Sequence, residues 1–376
     1  MDGTAKTTAL VTGATSGIGF ETARQLCRRN VRVIVACRDV DKGRKAVESI
    51  QKDWKDADVE LGPVLDLSSS SSVRSFVKDL RPGPIHILVN NAGMNNAGGK
   101  MAISGEGRKM REIVQVNYLG PYLLTRLLED RMKAPKGVGG ISSRIVNVSS
   151  VMHRLTKYRD ADSFLYGDSS YADTKFANVL FTHELEERLG DAWGIHAVAV
   201  DPGSVVSGIW RDSMWENSWI LKLLFAPASD GAAAVVHAAT VDFDRENDVI
   251  IKKKNTTSSK SKSSLHPPFR FYARGAFTWP ALTHMPNTMR VNSHHGESTG
   301  IVPILKTCTS ALMAINGILH ASIDWPLRLF AKTIIPVFSH SICAKTSPVR
   351  ANLAAYDCDL ASELWNASAK ACGLPP

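Results

Sequence analysis

The sequence has no CxxC pair, no apolar run long enough to cross a bilayer and no secretory leader pattern, and each absence narrows what it encodes. Its six cysteines, Cys27, Cys37, Cys308, Cys343, Cys358 and Cys372, are widely scattered. They form neither a disulfide framework nor a metal-binding spacing, so they are expected to be reduced thiols of a cytosolic protein, with no metal site. The longest uncharged stretch, residues 307–323, is interrupted by Thr307, Ser310, Asn316, His320 and Ser322. A membrane-spanning helix needs about 20 predominantly apolar residues, so none is expected. Met1 to Thr8 is polar, and Ala9-Leu10-Val11 is too brief for the apolar part of a signal peptide. The sequon at Asn255-Thr256-Thr257 therefore carries little weight.

What is present is enough to bury a core: 44% of the 376 residues are hydrophobic and 22% charged. At roughly 150 residues per domain the length allows two or three domains. The formal net charge of +9 would suggest a polyanionic partner only if it clustered on a folded surface. Instead, five of the lysines fall in Lys252–Ser264, a Ser-rich run free of apolar residues that reads as a solvated loop. Contact with an anionic membrane or nucleic acid is the alternative use for that run, though nucleic acid is not an expected partner.

Residues 1–240 alternate strand-like and helix-like patterns. Strands are predicted at Ala9–Thr12, Arg32–Cys37, Val59–Leu65, Ile85–Asn90, Arg144–Val148 and His196–Val200. Helices are predicted near Gly17–Arg29, Lys42–Lys52, Ser70–Leu80, Lys109–Arg131 and Ser170–Leu189. Such alternation predicts an α/β fold, a doubly wound parallel sheet with helices on both faces. The pattern breaks after Thr240. Residues 241–350 read as a basic loop and an apolar extension, and 351–376 as a final amphipathic helix that completes the domain, with Leu364 and Trp365 on its apolar face.

The first strand runs into Thr12-Gly13-Ala14-Thr15-Ser16-Gly17-Ile18-Gly19 and then a helix. Glycines there allow a tight turn and bring backbone amides toward a phosphate at the helix N-terminus. Further along stand Asp66-Leu67, Asn90-Asn91-Ala92-Gly93, Asn117, Asn147-Val148-Ser149-Ser150, Tyr171-Ala172-Asp173-Thr174-Lys175 and Asp201-Pro202-Gly203. In this order the set resembles the short-chain dehydrogenase/reductase family, over about Thr7 to Thr240 and again in the final helix. The Ala36-Cys37-Arg38-Asp39 run, a long Ser150-to-Tyr171 interval and Leu364-Trp365 look most like the retinol-dehydrogenase and WW-domain-oxidoreductase branch.

Tyr171 and Lys175, four apart on a predicted helix, share one face. A phenol titrates near about 10, and an ammonium beside it favours the phenolate, which suits Tyr171 to exchange a proton with a carbonyl or alcohol oxygen. Ser150 at a strand end can bond the same oxygen. Ser149 is the alternative serine, and Tyr166 a neighbouring tyrosine without a lysine four residues on. The resemblance gives Asn117 the holding of a relay water and Lys175 a contact to the nicotinamide ribose. It also implies cofactor contacts from Gly13, Ser16, Gly17, Ile18, Gly19, Arg38, Asp66, Leu67, Asn91, Ala92, Gly93, Pro202, Gly203 and Val205. Arg38, just past the second strand, suits a 2′-phosphate and points to NADP(H) over NAD(H).

Trp210, Trp215 and Trp219 with Ile220–Phe225 suggest an apolar lid and a lipophilic substrate of retinoid, steroid or fatty-aldehyde type. The alternatives are packing against the core or a second copy of the chain. With Trp325, Leu327, Leu329 and Phe330, the same surface could also give peripheral membrane contact. The expected activity is interconversion of a carbonyl and an alcohol; the rival is a catalytically weak nucleotide-sensing interaction protein on the same fold.

Overall fold

The computed structural model describes residues 6–95, 99–133, 142–203, 205, 226–241, 270–274, 346–348 and 353–376. Its centre is a sheet built from β1 (Thr8–Thr12), β2 (Arg32–Cys37), β3 (Val59–Val64), β4 (Ile87–Asn90), β7 (Ser143–Val148), β8 (Ile195–Asp201), β9 (Arg270–Arg274) and β10 (Thr346–Pro348). The order is β3-β2-β1-β4-β7-β8-β9-β10, and every neighbouring pair is parallel except β9 with β10. The doubly wound α/β architecture read from the sequence is the one found.

Alternation along the strands sorts the core into two layers. Leu10, Ile34, Leu88, Ile145, Ala197 and Ala199 point to one face. Val11, Val33, Val35, Val89, Val146, Val148 and Val198 point to the other. Because both faces are covered, the strands read as near-continuous apolar runs, and their ends are where polar chemistry collects.

On the first face lie α3 (Ser70–Asp79), α5 (Gly120–Met132), the short α6 (Ala161–Tyr166), α7 (Tyr171–Trp193) and the final helix, Cys358–Cys372. On the second lie α1 (Gly17–Cys27), α2 (Val40–Asp53) and α8 (Ala228–Thr240). The caps are local and sequence-coded. Ser170 and Asp173 form a reciprocal capping box at the start of α7, which ends at Gly194 with φ of 66°. At the final helix Asp357 accepts Leu360 N as the N-terminal cap, and Gly373 closes the other end in the left-handed region.

Two stretches differ from the sequence expectation. The single helix predicted over Lys109–Arg131 is a hairpin, β5 (Met101–Ile103) with β6 (Lys109–Arg111), followed by α4 (Glu112–Val114), a π-helical segment Gln115–Leu119, and α5. Pro121 has no N–H to give an α-helical ladder, and Gly120 N donates five residues back to Gln115 O. The second stretch is in residues 241–350, read above as a basic loop and an apolar extension. Arg270–Arg274 from this range pairs in parallel with β8, and Tyr272 within it is fully buried against the α8 side. Five residues with arginine at both ends carry too little periodicity to announce a strand. The lysine-rich run, Trp210–Phe225 and Trp325–Phe330 lie outside the described residues. Among the described residues no helix is long and apolar enough to cross a membrane.

The final helix packs Trp365 against Tyr122 and Phe181, at ring-centroid distances of 5.3 and 5.9 Å. Tyr118 Oη and Ser368 Oγ share a hydrogen bond of 2.9 Å, and the Arg126 and Arg188 guanidinium groups lie 4.5 and 4.7 Å from the indole ring. Trp365→Ala is expected to cost about 3–5 kcal/mol, read as a lowered midpoint in urea unfolding with an unchanged slope.

Candidate functional site

The ends of β1 and β4 are tied through Thr12. Its buried hydroxyl donates to Val89 O at 3.2 Å and accepts from both Asn91 N and Ala92 N at 3.0 Å. Asn91 Nδ2 returns a bond to Thr12 O at 2.9 Å. Gly13 (φ 66°) and Gly17 (φ 57°) take conformations that favour glycine. At Gly19 a Cβ would sit 2.3 Å from Asn91 Nδ2 and 2.5 Å from Gly13 O, so only glycine fits. Ser16 is the N-cap of α1, with no side-chain cap bond, and Ile18 lies half-buried in the first turn. The result is a cradle of backbone at a helix N-terminus, the arrangement that fits a dinucleotide's pyrophosphate.

Around this turn the other expected contacts fall at strand ends. Asp66 Oδ1 accepts from Ser68 N and Oγ at 2.9 and 2.7 Å, and Leu67 O accepts from Gln115 Nε2 at 3.2 Å. Arg38 is exposed at the end of β2. Asp39 next to it caps α2 by accepting Lys42 N at 3.0 Å, and that bond holds its carboxyl below the usual range, with the Lys42 ammonium adding to the effect. Pro202 and Gly203 follow β8, and Val205 is buried in a parallel bridge with Ala226.

One strand further, Asn90 and Asn147 face each other in register between β4 and β7. Asn90 Nδ2 donates to Asn147 Oδ1 at 2.8 Å, and Asn147 Nδ2 to Thr182 Oγ1 at 2.9 Å, which fixes the spacing of the two strand ends beneath the site. Ser149 is buried and its hydroxyl donates to Lys175 O at 2.8 Å. Ser150 is the serine left facing the site: it is half-buried, its Oγ accepts Met152 N at 3.3 Å, and it lies beside the Tyr171 phenol, whose proton affinity it lowers. His153, fully buried, contacts Ser150 O through Nδ1 at 2.6 Å, and burial pushes its pKa down to about 3, so the ring is neutral and donates. Tyr166 points elsewhere, bonding Glu106 at 3.2 Å under the Arg108 guanidinium.

Tyr171 opens α7 and Lys175 stands one turn on, its Nζ 5.4 Å from the phenol ring centroid. Nζ donates to Val148 O at 2.8 Å, and burial pushes the ammonium down to about 8 while Asp201 opposes that. A Cβ on Gly93 would meet Asn117 Oδ1 at 3.4 Å and Lys175 Nζ at 3.7 Å, so the Asn-Asn-Ala-Gly turn, Asn117 and Lys175 converge. Asn117 lies in the π-helical segment. Its amide accepts from Met94 N at 2.8 Å and donates to Met94 O at 2.8 Å and Thr174 Oγ1 at 3.2 Å.

The phenol departs from the sequence expectation. Burial pushes the Tyr171 pKa above its ordinary value and Asp201 adds to this, while only neighbouring Ser150 lowers it. Lys175 spends its contact on Val148 O, so in this state Tyr171 keeps its proton. Thr12, His153 and Asp201 are the functional neighbours that sequence reasoning left unused. Asp201 adjoins a motif, and Thr12 begins one, but His153 carries no local signal.

A family model for short chain dehydrogenase matches residues 7–217. The chain belongs to the short-chain dehydrogenase family. It is 39% identical over 248 residues to retinol dehydrogenase 12 of Mus musculus, covering 62% of this chain and 73% of that protein. To the WW domain-containing oxidoreductase of Gallus gallus it is 34% identical over 252 residues, 61% of this chain and 57% of that protein. A crystal structure of an uncharacterized protein from Mycobacterium Paratuberculosis aligns over 98% of this chain and 94% of its own, with a TM-score of 0.57 and 23% identity, and shows the fold alone. The resemblance to the retinol-dehydrogenase and WW-domain-oxidoreductase branch thus holds over the cofactor half, and the protein is an oxidoreductase of a family that binds a nicotinamide cofactor. For this short-chain dehydrogenase, Gly19→Ala is expected to weaken nucleotide binding at least about tenfold, measured as Kd by quenching of intrinsic fluorescence.

Proposed function

We propose that this short-chain dehydrogenase interconverts a carbonyl and an alcohol on a lipophilic substrate, with NADP(H) as its cofactor. The observation that carries the reading is the Lys175 ammonium one helical turn from Tyr171, 5.4 Å from its ring centroid, with Ser150 beside the same phenol. Tyr171 is a neutral phenol here, the form needed to donate a proton to a carbonyl oxygen. Ser150 offers a hydroxyl to the same oxygen as charge grows on it. Lys175, one helical turn from the phenol, stabilises the phenolate left after transfer; Asn117 holds Met94 and the Asn-Asn-Ala-Gly turn in place beside it. The bound nicotinamide supplies or accepts the hydride. Gly13, Ser16, Gly17, Ile18 and Gly19 would hold its pyrophosphate, Asp66, Leu67, Asn91, Ala92 and Gly93 line the strand ends beyond, and Pro202, Gly203 and Val205 close the opposite side.

NADP(H) is supported by the division of labour after β2. Asp39 is committed to the α2 cap and to Lys42, at 3.2 Å, and so is poorly placed to bond a ribose hydroxyl. Arg38 stays exposed with no partner among the described residues, which suits a 2′-phosphate. The retinol dehydrogenase relatives and the Trp210–Phe225 segment support the lipophilic substrate class.

Turnover of retinal with NADPH tests the chemistry. Tyr171→Phe is expected to lower kcat/KM by about 10²–10⁴, with nucleotide Kd within about threefold of wild type; full activity in that variant would reject the reading. Separately, Arg38→Ala should reduce the NADPH-to-NADH ratio of kcat/KM by about tenfold or more, and an unchanged ratio would remove the case for NADP(H).

A further inference from the structure

Asp201 ends β8 at 2% exposure, and no step above uses it. A carboxylate out of water demands compensation. Its Oδ1 accepts Gly203 N at 2.9 Å, and Val151 N lies close enough to favour the charged carboxylate. The first N–H lies in the turn at Pro202–Gly203 and the second immediately follows Ser150. The side chain therefore spans two loops that leave neighbouring strands, β7 and β8, whose register runs Val148 against Val200. An amide could accept one of these N–H groups but would turn its own N–H₂ toward the other.

The charged and titratable groups that feel this carboxylate come from two packed elements. Lys175 and Tyr171 lie on α7, and Arg154 lies on the 3₁₀ turn Val151–Leu155. His153, on that turn, is neutral and engaged with Ser150 O. Burial raises the proton affinity of Asp201 itself, and the two backbone amides, Arg154 and Lys175 all oppose that rise. We propose that Asp201 is a positioning residue for the reaction, joining the Ser150 turn to the Pro202–Gly203 turn and supplying the negative charge that faces Lys175 and Tyr171. This rests on Tyr171 acting as the proton donor.

The sign of the effect follows from electrostatics. A nearby anion favours the protonated forms of both phenol and ammonium. Removing it lets Tyr171 ionise at lower pH, so the fall in retinal reduction at high pH moves to lower pH.

The experiment compares wild type, Asp201→Asn and Asp201→Glu in retinal reduction with NADPH across pH. Asp201→Asn is expected to shift the alkaline limb of kcat/KM downward by about half a unit or more, while Asp201→Glu, which keeps the charge, returns the limb toward wild type even at reduced kcat. Ultraviolet titration of the nucleotide-free protein gives a second readout. The phenolate signal lost on adding Tyr171→Phe to each background isolates Tyr171, and it should move the same way. If Asp201→Asn does not fold, Asp201→Ser, uncharged but still an acceptor, decides in its place. Coincident limbs and coincident phenol titrations in charged and uncharged variants would overturn the proposal. Wild-type activity in Tyr171→Phe would instead reject the role of Tyr171, and the spectroscopic titration would still judge Asp201.

Discussion

Lys175 places an ammonium group where water barely reaches, and removing such a charge from water costs several kcal/mol unless partners compensate. Much of the site can be understood as that compensation. Val148 O takes one N–H of the cation at the end of β7, and the Asp201 carboxylate faces it from the end of β8. Those two strands can serve only because they end together, with Val148 in register with Val200 and Ser149 N donating to Val200 O at 2.7 Å. The cation then leaves the phenol of Tyr171 with a neighbour that is charged but already engaged. Proton affinity at this tyrosine is thereby a property of three elements, not of one helix.

The same constraint explains why the chemistry lies at one edge. A parallel sheet covered on both faces has no polar surface except at its strand ends, and the carboxyl ends of β1, β4, β7 and β8 supply the glycine turn, the asparagine turn, Ser150 and Asp201. Side chains committed to holding that edge are as important as those facing substrate. Thr12 satisfies two backbone N–H groups with one hydroxyl, and Asn117 spends both its amide N–H groups on Met94 and Thr174.

Much of this was legible in the sequence where residue type is dictated by local geometry. Gly13, Gly17 and Gly19 are required by backbone conformation or contact, and Tyr171 and Lys175 by helical spacing, so their positions could be read directly. The choice between Ser149 and Ser150 follows from burial and bonding that depend on α7 packing across β7, and spacing alone left it open. The proton affinity of Tyr171 differs from the expectation drawn from helical spacing, because burial and the Asp201 charge at the end of β8 raise it and spacing registers neither. β9 was illegible for another reason: a five-residue strand draws its identity from the partner it pairs with, and Arg270–Arg274 has little pattern of its own.

The final helix gives the chain an unusual order of assembly. Trp365 closes a core whose other walls, Tyr122 and Phe181, lie far upstream: the Tyr122 hydroxyl reaches Trp365 O across 243 positions, and Arg74 reaches Cys372 O at 2.6 Å across 298. Loop closure of that size adds little to equilibrium cost, since each doubling of length costs only about 0.6 kcal/mol. Its effect is on timing. During synthesis the Tyr122 and Phe181 side of the sheet lacks its Trp365 partner until residues 358–372 have emerged, so this part of the core is the last that can close.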